Sequence, residues 1–151
     1  MDLSVFIDEQ VYKFYWEEDY NCATTSLKTL SAIYNIQLSS QVIDAAQGMH
    51  GAGKYGAQCG LVEGCLMFIG IYGTHIGLEQ SVIVKTCYDF AESFEEHFRS
   101  IRCSDLRPGG FQKTDPPHLC EALTKKALLF SVDHLNNVFI HNKIEIPKLN
   151  N

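Results

Sequence analysis

The sequence predicts an all-α fold: one domain, 1–151, built as a bundle of about five to six helices with a glycine-rich apolar helix at its centre. Three observations carry that expectation. Apolar residues recur three and four positions apart in successive stretches, the period of a helix with one buried face. No repeat, linker or low-complexity segment divides the chain, and no strand pattern interrupts it before the tail. A chain of 151 residues, 46% of them hydrophobic, is also long enough to fold without covalent staples, since a domain of this size hides roughly 68–70% of the surface its unfolded chain exposes.

The elements follow in order. From Leu3 to Trp16, Val5, Phe6, Val11, Phe14 and Tyr15 approximate a helical pattern, with Ser4 or Asp8 as caps. Glu17, Glu18 and Asp19 interrupt it. Asn21 then has the side chain of an N-cap, and Cys22, Ala23, Leu27, Leu30, Ile33 and Tyr34 follow at helical spacing, so a second helix begins at Cys22. Ser39 and Ser40 precede Val42, Ile43, Ala45 and Ala46, a short third helix stopped by Gly48. Glycines at 48, 51, 53, 56, 60 and 64 then run into Leu61, Val62, Cys65, Leu66, Met67, Phe68, Ile69 and Ile71. That helix is apolar on nearly every side and belongs inside a bundle. Gly56, Gly60 and Gly64 recur every four residues along it, a stripe that admits a neighbouring helix or a bound group close to the backbone.

From Leu78 to Ile101 the apolar positions Val82, Ile83, Cys87, Phe90, Phe94 and Phe98 step by three and four between charged residues, the clearest amphipathic helix in the chain. Arg107-Pro108-Gly109-Gly110 ends what precedes it, and Asp115-Pro116-Pro117 opens a last helix through Ser131. The tail from His134, with Val138, Phe139, Ile140, Ile144 and Ile146, reads as a small hairpin or an extended arm.

Composition narrows the partners. A net charge of −6 disfavours nucleic acid. The longest apolar stretch, Cys65–Ile71, falls far short of the roughly 20 residues a membrane helix needs. Met1–Gln10 has no basic region followed by a long apolar run, so a cytoplasmic location is expected, where six cysteines bind metal or do redox chemistry more often than they brace a fold. Phe139 and Ile140 hint at an interface, with a symmetric homodimer the default.

Two phosphate-binding patterns do not survive their context. Gly51-Ala52-Gly53-Lys54-Tyr55-Gly56 matches G-x-G-x-x-G, but a helix rather than a strand is expected before it. The overlapping run from Gly48 resembles a Walker A loop but has Tyr55 where a magnesium-binding Ser or Thr belongs. Lys54, read as lying near a helix N-terminus, remains able to bind a small anion or stabilise a thiolate.

The cysteines hold no C-x-x-C, which removes thioredoxin-type and zinc-ribbon spacings. Their local contexts divide them. Cys22, Cys59, Cys103 and Cys120 fall at expected helix starts, where free N–H groups and the helix dipole favour the thiolate, which is both nucleophile and metal ligand. Cys65 and Cys87 sit on apolar faces and are read as packing.

Asn21-Cys22-Ala23, the run Cys59-Gly60-Leu61-Val62-Glu63-Gly64, then Ile101-Arg102-Cys103-Ser104-Asp105-Leu106, and Cys120 together resemble the C-GCAxxG-C-C family of putative redox-active proteins over roughly 10–130. The resemblance implies a small bacterial or archaeal helical protein with four characteristic cysteines, here Cys22, Cys59, Cys103 and Cys120. It also implies similarity to a domain of split-Soret-type cytochromes, for which iron–sulfur binding has been suggested. Leu61 stands where the family has Ala, and Gln58 where it has Gly. The bulkier Leu61 narrows the space expected beside Cys59.

Several chemistries fit four converging thiolates. They can hold an iron–sulfur cluster for electron transfer or a tetrahedral zinc, or act without metal as a thiol and disulfide relay. Convergence of all four favours metal, because thiolates in one place repel one another unless a cation compensates them; convergence in pairs favours dithiol chemistry. A zinc-stapled module that only binds a partner is the non-enzymatic alternative. Glu63 is a candidate proton acceptor for a thiol, or a partner for Lys54; His50, His97 and His118 are candidate accessory ligands. The redox partner, whether a protein or a small oxidant or reductant, is not written in the sequence.

Overall fold

The structure, a computed structural model, describes residues 2–107 and 109–141. They form helices α1 (Leu3–Tyr12), α2 (Cys22–Ile33), α3 (Ser40–Ala45), the single turn α4 (Gly51–Lys54), α5 (Gly60–His75), α6 (Gln80–Phe98), the short α7 (Cys103–Leu106) and α8 (Glu121–His141). No strand occurs among the described residues; one isolated antiparallel bridge joins Gln58 to Arg102. The all-α, single-domain expectation holds.

The N-terminal expectation is corrected in detail. Asp2 caps α1, its carboxylate accepting the Ser4 amide at 2.8 Å, and neither Ser4 nor Asp8 is the cap. Beyond Tyr12 the chain widens into a π-helical turn, Lys13–Glu17, with the Glu18 amide donating to the Lys13 carbonyl at 3.1 Å. Asn21 caps α2 as its side chain suggested. Its Oδ1 accepts the Thr24 amide at 3.0 Å while its Nδ2 donates to the Gln47 carbonyl at 2.8 Å, so one side chain both starts the helix and ties it to the 3-10 turn Ala46–Gly48.

α5 packs along α2 and also against α6 and α8, while α1 closes on α8. The α2–α5 approach is close because α5 offers Gly60 and Gly64. A Cβ on Gly64 would lie 2.5 Å from the Ala23 carbonyl oxygen and 2.9 Å from the Ser26 Cβ. Gly56 is not part of that stripe. It precedes α5 in the left-handed region, at φ +93°. Leu27, Leu30, Phe68, Phe90, Phe94 and Leu135 are fully buried in the core.

The last helix differs most from expectation. His118 has φ +55°, which breaks a helix begun at Pro116, so α8 starts at Glu121. It then continues to His141, overturning the hairpin or arm for 134–141; Ile144 and Ile146 lie outside the described residues. Two contacts explain the continuation. Asn136 accepts the Tyr34 hydroxyl at 2.7 Å, and Phe139 is fully buried against Tyr34 and Tyr72, with ring centroids 6.1 and 4.9 Å away. Phe139 therefore belongs to the core and offers no interface. α6 likewise stops at Phe98, because Arg99 adopts φ +72°, and Ile101 lies beyond it.

Candidate thiol centre

All four candidate cysteines stand at helix starts. Cys22 is the first residue of α2, Cys59 the N-cap of α5, Cys103 the first residue of α7, and Cys120 precedes α8, its carbonyl accepting the Thr124 amide at 2.8 Å. Backbone pairing brings Cys59 and Cys103 together. The Cys59 amide donates to the Ile101 carbonyl at 2.8 Å and the Cys103 amide to the Ala57 carbonyl at 2.7 Å, on either side of the Gln58–Arg102 bridge. Cys22 reaches them because residue 60 is glycine: a Cβ there would collide with the Cys22 Sγ.

Gly51 performs the same service for Cys103, since a Cβ on it would lie 2.9 Å from the Cys103 Sγ. It opens α4, where Gly51, Ala52, Gly53 and Lys54 have φ of +66°, +53°, +64° and +72°. α4 is thus a left-handed turn, closed by the Gly56 amide on the Gly51 carbonyl at 3.0 Å, and Lys54 does not sit at a helix N-terminus as expected. Left-handed backbone costs a side-chain-bearing residue about 1–2 kcal/mol, a cost that Ala52 and Lys54 both carry. Strain of that kind concentrates at functional sites.

Burial raises all four thiols, and for three of them neighbouring cysteines add to the rise. Burial pushes the Cys22 thiol far up, and the negative charge that Cys59, Cys120 and Cys103 would carry pushes it further. Burial takes Cys59 up to about 12, with Cys103 and Cys120 adding to the rise, while the amides of Leu61 and Val62 donate toward its sulfur and oppose it. Cys103 is raised by burial and by Cys120, and Arg107 opposes the rise. Burial also raises Cys120, opposed by Arg107, whose Nη1 lies 3.8 Å from the Cys120 Sγ. No disulfide joins any of the six cysteines.

A cleft of about 910 Å³ opens over this group, reaching Cys22, Cys103 and Cys120 but not Cys59. Arg107 is fixed in its wall by the Asp115 carboxylate at 2.9 Å, the Gly110 carbonyl at 3.0 Å and the Phe111 ring, 4.4 Å from the guanidinium carbon. On the other side Tyr15, buried at the π-helical turn, donates to or accepts from the Thr124 hydroxyl at 2.6 Å and stacks on His118, ring centroids 4.5 Å apart. His118 also meets the Asp19 carboxylate at 3.1 Å, and Trp16 lies edge-on to it.

The remaining candidates fall differently. His50 lines the cleft, its Nδ1 buried without a partner among the described residues. His97 lies outside the cleft, beside Phe98 and Phe130. Glu63, half-buried in the first turn of α5, has its carboxyl raised by burial; it lies outside the cleft and makes no ion pair with Lys54 among the described residues. Cys65 is fully buried and Cys87 packs against the core. Sequence reasoning missed Arg107 and Tyr15. Arg107 stands four residues after Cys103 but reads as loop punctuation before Pro-Gly-Gly, and Tyr15 reads as an ordinary core aromatic.

Among the described residues no three His, Cys, Asp or Glu side chains are arranged to hold a single metal ion, and no helix is long and apolar enough to cross a membrane. Comparison with curated proteins and with solved structures gives no match. A family profile described as "Putative redox-active protein (C_GCAxxG_C_C)" matches residues 20–133, a span that contains all four helix-start cysteines and most of the chain, and the protein belongs to that family.

Proposed function

We propose that Cys22, Cys59, Cys103 and Cys120 form one redox centre that holds an iron–sulfur cluster for electron transfer. The observation that carries this reading is that Cys22, Cys103 and Cys120 line one cleft while backbone pairing on either side of the Gln58–Arg102 bridge sets Cys59 beside Cys103. Four thiols in such a place stay protonated unless cations compensate them, and Arg107, the guanidinium at Cys120, is itself paired with Asp115. The donor set fits the group. Thiolates are the ligands of iron–sulfur clusters, and amide donors to a ligand sulfur, as Leu61 and Val62 provide at Cys59, tune such centres. Tetrahedral zinc is the alternative occupant of the same four thiolates.

A cluster bound there would supply one-electron chemistry. The protein's own residues do the rest: Cys59, on the sealed side, anchors through its amide-bonded sulfur, Gly51 and Gly60 leave room for Cys103 and Cys22, and Arg107 holds positive charge at Cys120.

A second reading is a metal-free relay, for which Arg107 offsets part of the rise that burial imposes on the Cys120 thiol. The Cys120 thiolate attacks a substrate disulfide, forming a mixed disulfide and expelling one thiolate. A neighbouring cleft thiol, Cys22 or Cys103, then displaces the second thiolate and leaves an internal disulfide. Two protein thiols are oxidised and one substrate disulfide reduced.

Anaerobic purification and reconstitution with ferrous iron and sulfide, followed by visible absorption and iron and sulfide analysis, separates these readings. The expected result is brown protein whose colour is lost on Ser substitution of any of the four cysteines and kept in Cys65→Ser and Cys87→Ser. A folded, colourless chain that takes up neither iron nor sulfide and keeps four titratable thiols overturns the cluster; stoichiometric zinc without sulfide does so as well.

A further inference from the structure

This chain carries a net charge of −6, yet the wall of the thiol cleft is evenly balanced, with Glu18, Asp19 and Asp115 against Lys54, Arg107 and Lys113. Three carboxylates line it, and each is engaged: Glu18 with Lys28 at 2.9 Å, Asp19 with His118 at 3.1 Å and Asp115 with Arg107 at 2.9 Å. Lys54 and Lys113 line it too, and neither has a counter-charge among the described residues. Lys54 is held there by the left-handed turn α4, a conformation that its own side chain disfavours. Cations on a concave low-dielectric wall focus their field into the space between them. The volume of about 910 Å³ lies within the range of small-molecule sites and far exceeds what one ion needs. Phe111, Pro116 and Pro117 add apolar surface to the same wall.

We infer that the cleft binds a small anionic molecule, carrying a carboxylate or oxyanion group, directly above Cys22, Cys103 and Cys120, with Lys54 and Lys113 as its charge partners. This gives the thiol centre a small-molecule substrate class. The role as redox substrate rests on the reading proposed above, whereas the binding does not.

Two alkylating agents of similar size and opposite character test the inference: iodoacetate, an anion, and iodoacetamide, which is neutral. The full-length chain is reduced, treated with chelator and exposed to each, and modification of Cys120 is followed by peptide mass spectrometry. Dividing the two rates at one thiol and one pH cancels its ionisation and burial and leaves the preference for charge. The expected iodoacetate to iodoacetamide ratio at Cys120 exceeds that of an uncharged cysteine peptide by roughly threefold or more at low salt. It falls toward the peptide value in Lys54→Gln/Lys113→Gln, and in wild type at about 1 M salt, where the Debye length is about 3 Å. A ratio no higher than the peptide's overturns the inference. So does a high ratio that the double variant retains, because the attraction then belongs to Arg107 alone. Iron and sulfide uptake is read separately, so failure of the cluster and failure of the anion site give different results.

Discussion

Alanine at Gly64 tests the geometry that lets α5 approach α2, and Gly70 supplies an internal control in the same helix. A Cβ at 64 would meet the Ala23 carbonyl oxygen at 2.5 Å, the Ser26 Cβ at 2.9 Å and the Leu27 nitrogen at 3.2 Å; two of these are backbone atoms of α2 and cannot swing aside. A Cβ at 70 meets nothing within 4 Å. Both substitutions gain about 1 kcal/mol from replacing glycine by alanine in a helix interior. Overpacking a tight contact costs about 1–3 kcal/mol, toward the upper end when backbone must move. Gly64→Ala is therefore expected to destabilise by about 1–2 kcal/mol net, and Gly70→Ala to stabilise by about 0.5–1 kcal/mol. Urea unfolding of the reduced chain measures both. In a protein of this size the corresponding Tm changes are about 2–4 °C per kcal/mol. If Gly64→Ala matches wild type, or if Gly70→Ala loses stability comparably, the close helix approach is not what makes residue 64 glycine, and the account of how Cys22 reaches the other thiols through Gly60 fails with it.

Other outcomes follow from named contacts. Asn21→Ala removes the Thr24 cap and the bond to the Gln47 carbonyl, and is expected to cost about 1–2 kcal/mol; Asn21→Asp, which keeps the capping oxygen and loses the donor, should cost less in the same urea titration. Phe139→Ala should cost about 3–5 kcal/mol, as for a buried aromatic, where an extended arm would lose almost nothing. Stability of the reduced, metal-free chain should fall as pH rises above about 9. Cys22, Cys59 and Cys65 all have thiol pKa values raised by burial, so between the unfolded and folded values the native state keeps protons that the unfolded chain has lost. The stabilising contribution is thus fully present below the unfolded pKa of about 8.5 and is lost above it, at up to about 1.4 kcal/mol per pH unit for each thiol. Chemical denaturation at about pH 8, 9 and 10 checks this, and a flat profile contradicts the burial of these thiols.

Asn21 capping α2, Ser39 at the start of α3 and the three-and-four spacing of α6 were legible because each signal is local: a cap and a periodic face act within a few residues. The same locality singled out the four cysteines, since helix starts are written in the residues beside them. Signals failed where distant contact overrides local preference. The last helix reads as ending at Ser131, with a hairpin or arm from His134, yet Tyr34, about a hundred positions before Asn136, donates to it and its ring packs with Phe139, and α8 continues. Gly56 fits a four-residue stripe on paper, but the pairing of 57–59 with 101–103 takes it out of the helix.

The sequence by itself determined the helical class and the starts of α2 and α3, and it singled out Cys22, Cys59, Cys103 and Cys120 as candidates, because these follow from capping, periodicity and the company each cysteine keeps. Tertiary structure alone decided that Cys22, Cys103 and Cys120 line one cleft, that Cys59 pairs beside Cys103, that Arg107 lies at Cys120, and that Lys54 and Lys113 stand in the cleft wall without an ion-pair partner among the described residues. Those facts depend on backbone pairing across more than forty residues and on two glycines whose missing side chains leave room for sulfur. Such distances in space are fixed by the packing of α2 on α5 and are absent from any local window of the chain.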